Sequence, residues 1–147
     1  MIKILLLIIL WDLACYWMHR WAHNAKWYLR IHAAHHKKIY NAEQSWLPSI
    51  GSFFLWHGCW KQSLDILISF TMPAVVISYI FNCWWVLLFH YLYEVFLADG
   101  LWQHNVRIKS NILAGGQYHL EHHRNPRCNY GSILPIWDKI FKTEVKV

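Results

Sequence analysis

The sequence predicts an all-α integral membrane protein. About three membrane-embedded helices, one N-terminal and two in a hairpin, lie beneath a cytoplasmic helical cap that carries histidine boxes. Three observations support this. Apolar residues make up 56% of the 147 and charged residues only 15%, a balance shifted from soluble averages toward the membrane. Two long apolar stretches, residues 2–18 and 64–102, alternate with wet, basic segments. Eight of the eleven histidines fall in three short boxes, His19-x-x-x-His23, His32-x-x-His35-His36 and His119-x-x-His122-His123.

By length the chain is one domain, 1–147, divided into a helix over 2–23, a box region over 24–61, a hairpin over 64–102 and a cap over 103–147. Residues 2–18 are apolar apart from Lys3 and Asp12. A secretory signal would want a clean cleavage site after the apolar run, and Asp12 spoils the one near Cys15. A membrane helix that continues through the first box fits better. Asp12 is costly in lipid and should face the bundle, as a partner that orients a ligand.

Residues 20–61 carry Arg20, Lys26, Arg30, Lys37, Lys38 and Lys61. Pro48, Ser49, Gly51 and Ser52 interrupt regular structure there, and His57 suits a structural role or, as the alternative, an additional ligand. The stretch 64–102 is too long for one crossing, and Phe81-Asn82 divides it into arms over 64–80 and 83–102. Pro73 predicts a kink in the first arm. In the second, His90 and Glu94 are i, i+4 neighbours. They suit either a buried ion pair between helices or a carboxylate that orients a metal-bound histidine. In the cap, Gly115-Gly116 predicts a turn that opens the third box. Residues 137–141 predict a short amphipathic helix on the membrane surface.

Thirteen of the fourteen Lys and Arg lie in the two wet segments, with Lys3 alone at the other end. The positive-inside rule then makes the shared side of all three boxes cytoplasmic. The net charge of +6 thus follows topology and does not call for nucleic acid. Cys15, Cys59, Cys83 and Cys128 have no CxxC spacing and read as small buried hydrophobes.

On a helix, positions i, i+3 and i+4 share one face, so each box points its imidazoles one way, as metal ligands must. Eight histidines exceed what one zinc takes and suit two metals. Imidazole serves Zn, Cu, Fe and Ni alike, so the ligands alone do not choose. A metalloprotease helix would need a glutamate after its first histidine, and Arg20 stands there.

At these residues the chain resembles the sterol desaturase and fatty acid hydroxylase superfamily of membrane di-iron oxidoreductases. His19-Arg20-x-x-His23 and His32-x-x-His35-His36 match its first two boxes. His104-Asn105-Val106-Arg107 is similar to its HSNVR-type segment, and His119-x-x-His122-His123 to its third box. Asn129-Tyr130-Gly131 and the run Trp137 to Thr143 are similar to its NYG and WDxxFGT ending. The resemblance covers roughly residues 12–143. Asn105 stands where serine is usual and Lys142 where glycine is usual. Many relatives carry further N-terminal membrane helices, so here the site would be more open to lipid, or a homo-oligomer would supply a missing wall, or the chain is a fragment or an inactive remnant.

The resemblance implies that His19, His23, His32, His35, His36, His104, His119, His122 and His123 hold two iron ions. Asp12, His90, Glu94 and Asn129 are candidates for orienting them. It implies O2 as co-substrate and hydroxylation or desaturation of a lipid C–H bond. No haem-binding or flavin segment is seen, so electrons would come from a separate cytochrome b5- or ferredoxin-like donor. The membrane would be a bacterial inner membrane or the endoplasmic reticulum. A membrane protein that only binds metal, or a degenerate family member, is the alternative.

Overall fold

The computed structural model describes residues 1–40, 47–110 and 112–146. These residues form helices and no strand. In order the helices are α1 (Ile2–Asn24), α2 (Lys26–His36), a 3-10 turn (Gly51–Phe54), α3 (Trp60–Ile66), α4 (Met72–Ile80), α5 (Trp85–Leu92), α6 (Gln117–Arg124) and α7 (Ile136–Ile140). A π-helical segment, Leu67–Thr71, joins α3 to α4, and a second, Tyr93–Leu101, extends α5.

α1 and the run Trp60–Ile80 are long and apolar enough to cross a membrane, whereas the second hairpin arm, Trp85–Ala98, is shorter. At ~1.5 Å per residue, α1's 23 residues reach about 34 Å. Its cohesion comes from one stripe: Leu7, Trp11 and Cys15 are buried against Ala74, Ile77, Val86 and Tyr93 of the hairpin. Their i, i+4 spacing aligns them on one side. The other sides expose Leu5, Leu6, Val76, Ile80, Trp85 and Leu88. So broad an apolar exterior is unfavourable in water and suits lipid.

The turn at Phe81-Asn82 is where the sequence divides the hairpin, and Asn82 takes a left-handed φ of 46°. Lys3 Nζ donates to the Phe81 carbonyl at 2.9 Å. The start of α1 and the hairpin turn therefore share one end of the bundle, and the boxes gather at the other. Pro73 has no N–H to give, and the segment just before it is π-helical. The Phe70 carbonyl in that segment accepts from Trp11 Nε1 at 3.0 Å, tying α1 to the first arm.

Gly116 opens α6 with a φ of 58°, and a Cβ there would meet the Ile108 carbonyl oxygen at 2.2 Å. Only glycine fits that backbone. α7 forms as the pattern predicts, with Lys139 exposed but its acidic residue turned inward. Asp138 is buried, and Ile136 and Ile140 face outward instead.

Candidate metal centre

α1 brings His19 and His23 to its last turns, α2 brings His32, His35 and His36, and α6 brings His119, His122 and His123. His104 follows the second π segment. The nine fall into two groups: His19, His23, His32, His36 and His122; and His35, His104, His119 and His123. Within each group the candidate ligand atoms all lie within 4.8 Å of one another. On one ion, opposed imidazole nitrogens are about 4.2 Å apart, so small movements would close each group on a metal.

The rings are fixed from behind. His19 Nδ1 donates to the Tyr130 carbonyl at 2.9 Å, and His122 Nδ1 to that of Cys128 at 2.6 Å. His104 Nδ1 donates to the Ala98 carbonyl. His32 Nδ1 donates to Asp65 Oδ2 at 2.8 Å. An imidazole whose proton is held on Nδ1 presents a bare lone pair at Nε2. Those lone pairs face one another: His122 Nε2 lies 3.0 Å from His23 Nε2 and 3.2 Å from His36 Nε2. His36 Nε2 is 3.1 Å from His32 Nε2. In the second group His104 Nε2 lies 3.3 Å from His123 Nε2 and 3.4 Å from His35 Nε2.

One N–H on His36 can serve either His122 or His32, not both, so lone pair must face lone pair. Further buried nitrogens have no hydrogen-bond partner: His19 Nε2, both of His119, and Nδ1 of His36 and His123. Buried polar atoms are normally satisfied. A cation in each group would satisfy the Nε2 atoms turned toward it. The donor set fits metal.

Burial and neighbouring imidazoles keep the rings neutral, the form that binds metal. Burial, then His32, pushes His36 down to about 3. Burial, then His104, pushes His123 to about 2. His35, His119 and His122 are held well below the ordinary value for the same reasons.

The predicted orienting residues come out differently. Among the described residues, the Asp12 hydrogen bonds go to the C-terminal tail and to none of the nine imidazoles. Its carboxylate accepts from Ile133 N at 3.0 Å, Leu134 N at 3.2 Å and Trp137 Nε1 at 2.9 Å. It faces inward, as its cost in lipid demands, but it grips the C-terminal tail. His90 lies outside both groups and bonds Thr71 Oγ1 at 2.9 Å. Its Nδ1 is 3.9 Å from Glu94, too far for a hydrogen bond. Glu94 lines the cavity that also reaches His19, His32, His35 and His119.

Asn129 also acts through the tail. It takes a left-handed φ of 55°, donates to the Tyr118 and Val145 carbonyls and accepts from Val145 N. That fixes the loop whose Cys128 and Tyr130 carbonyls hold His122 and His19. Asp138 completes the clamp by accepting from Tyr130 N and Gly131 N, both at 2.8 Å, and from Tyr118 and Thr143. The residue missed in the sequence is Asp65, 33 positions from His32.

Residues 4–143 match the family model described as fatty acid hydroxylase. The chain belongs to the fatty acid hydroxylase family. The Delta(7)-sterol 5(6)-desaturase of Leptosphaeria maculans is 31% identical over 136 residues, 88% of this chain and 33% of that protein. The alkylglycerol monooxygenase of Xenopus tropicalis is 31% identical over 140 residues, 91% of this chain and 28% of that protein. The putative Delta(7)-sterol-C5(6)-desaturase 2 of Arabidopsis thaliana is 30% identical over 140 residues, covering 91% of this chain and 44% of that protein. The chain thus spans less than half the length of these relatives. No solved structure matches it. The superfamily named from the boxes is therefore the right one. In this fatty acid hydroxylase chain the NYG and WD segments have a local explanation, since they build the clamp behind His19 and His122.

Proposed function

We propose that this chain is an O2-dependent oxidoreductase whose nine histidines hold two iron ions and which hydroxylates or desaturates a lipid C–H bond. The convergence of nine imidazoles into two groups, with bare nitrogens facing inward, carries the reading. Two relatives are named for work on sterols and one on alkylglycerols, which supports a lipid substrate. Bound in the two groups, iron supplies activation of O2 and removal of hydrogen from an unactivated C–H bond.

The protein's own residues do the rest. Carbonyls of Ala98, Cys128 and Tyr130 and the carboxylate of Asp65 hold the rings in the ligating tautomer. The cavity beside His19, His32 and His119 has an apolar wall at Ile66, Phe70 and Ala98 and polar groups at Lys38 and Gln103. That division suits an apolar chain against the wall with an oxygenated group toward Lys38 and Gln103. Electrons come from a separate donor of cytochrome b5 or ferredoxin type, drawn to the basic face. The boxes face the cytoplasm of a multi-pass membrane protein, in line with the basic residues around them and Lys3 at the far end. A homo-oligomer would wall the site further.

The test is lipid analysis of a host that has a competent donor and expresses either the intact chain or His122→Ala. A hydroxylated or newly unsaturated lipid is expected only with the intact chain. Its loss in the variant should exceed the roughly 10–100-fold seen when only a ligand's supporting partner is removed. Metal binding with no O2 uptake and identical lipid profiles would make the chain a metal binder and overturn the proposal.

A further inference from the structure

His19, His104 and His122 lean on carbonyls, whereas His32 leans on a carboxylate. Asp65 sits on α3 and is buried, 5% exposed. Its Oδ2 accepts the His32 Nδ1 proton at 2.8 Å, and its Oδ1 accepts from Ser69 Oγ at 3.4 Å. Ser69 in turn accepts the single proton of the Tyr28 hydroxyl, and the Asp65 backbone carbonyl lies 3.3 Å from that hydroxyl. Tyr28 stands one turn before His32 on α2. Carboxylate, hydroxyl and phenol therefore form one buried series that fixes Asp65 against a single ring. A charge-assisted bond of this kind is about twice as strong as a neutral one. It draws the Nδ1 proton outward, which makes Nε2 a better electron donor, and its negative charge offsets that of a cation nearby. The corresponding hold in the four-histidine group is the neutral Ala98 carbonyl on His104.

We propose that Asp65 makes the two metal positions unequal, so that the five-histidine position fills first and holds a divalent ion more tightly. Asp65 is a positioning residue, acting through His32. The inference rests on the two-metal reading above, and the experiment separates the two.

The full chain in detergent, freed of metal, is titrated with Co(II), followed by equilibrium dialysis and by the visible bands of the bound ion. His35→Ala combined with His104→Ala and His123→Ala (the His35→Ala background) leaves the five-histidine position to be measured, and His36→Ala combined with His23→Ala and His122→Ala (the His36→Ala background) leaves the four-histidine position. Asp65→Asn keeps the shape and a hydrogen-bond acceptor but removes the charge. In the His35→Ala background it should weaken Co(II) binding about 10–100-fold and shift the visible bands. In the His36→Ala background it should change neither. Ser69→Ala, a gentler change, should give a few-fold loss at the same position and none at the other. Equal losses in both backgrounds, or no loss with His35→Ala, overturns the role of Asp65. Should Asp65→Asn fail to fold, Ser69→Ala decides alone, and no loss there overturns it. An unaltered chain that binds fewer than two Co(II) overturns the two-metal reading itself.

Discussion

The two imidazole groups are supported in opposite ways. The five-histidine group is fastened to distant chain: His19 and His122 to the loop 128–130, and His32 to α3. In the four-histidine group the Ala98 carbonyl, in the second π segment and six residues away, holds His104. There both nitrogens of His119 and the Nδ1 of His123 have no hydrogen-bond partner, and Tyr40 stacks on His104 with ring centres 4.1 Å apart. Both groups draw imidazoles from α2 and α6, but the first group's rings are held from behind by distant chain, whereas the second's rely more on nearby chain and on the ion. Preorganisation is thus unevenly distributed across one site.

The strongest way to break this contrast is Asp138→Ala. It strands four donors that now point at a buried carboxylate, and should cost about 1–3 kcal/mol for each donor that stays buried and unsatisfied, measured by thermal unfolding in detergent. Metal loss should be confined to the five-histidine position; equal loss at both would mean that the loop supports the whole site.

Acid offers a milder test. The folded-state values of His36 and His123 lie near 3 and 2, below the ordinary 6.5, so the unfolded chain binds more protons between those limits. Stability and metal retention should be full above about pH 6.5 and fall as pH drops toward the folded values. Release of Co(II) on acidification should occur in two steps, the four-histidine group first. A single step would remove the difference between them.

The smallest effect concerns Lys142, which the structure holds at a left-handed φ of 56°. A side chain there is strained where glycine is not. Lys142→Gly should stabilise the protein by about 0.5–1 kcal/mol, seen as a slightly higher unfolding temperature. Because the neighbouring Thr143 carbonyl accepts from Asn129 N at 2.9 Å, any gain in metal affinity should appear only on the five-histidine side.

The parts legible in the sequence were those with a period or a punctuating residue. Box spacing put the imidazoles on shared helix faces, Phe81-Asn82 marked the hairpin turn, and Lys3 marked the far end. The glycine usual at position 142 has its reason in the backbone there. The supports were not legible. Ala98, Cys128 and Tyr130 act through carbonyls, which every residue has, so no side chain announces them. Asp65 looks in sequence like a stray acid at the start of an apolar run, since nothing local names His32 as its partner. Asp12 showed its inward direction through the cost of charge in lipid, but that cost is indifferent to which donors relieve it.

The π segment Leu67–Thr71 has a consequence for how this first arm tolerates change. A π turn takes in about one residue more than an α turn, so the polar half that holds Asp65 and the apolar half that holds Ala74 and Ile77 are out of phase. Deleting one residue between them would leave the lower half packed on Trp11. It would swing the upper half by about 100° around the helix axis and turn Asp65 away from His32. Length in this stretch is therefore as constrained as composition.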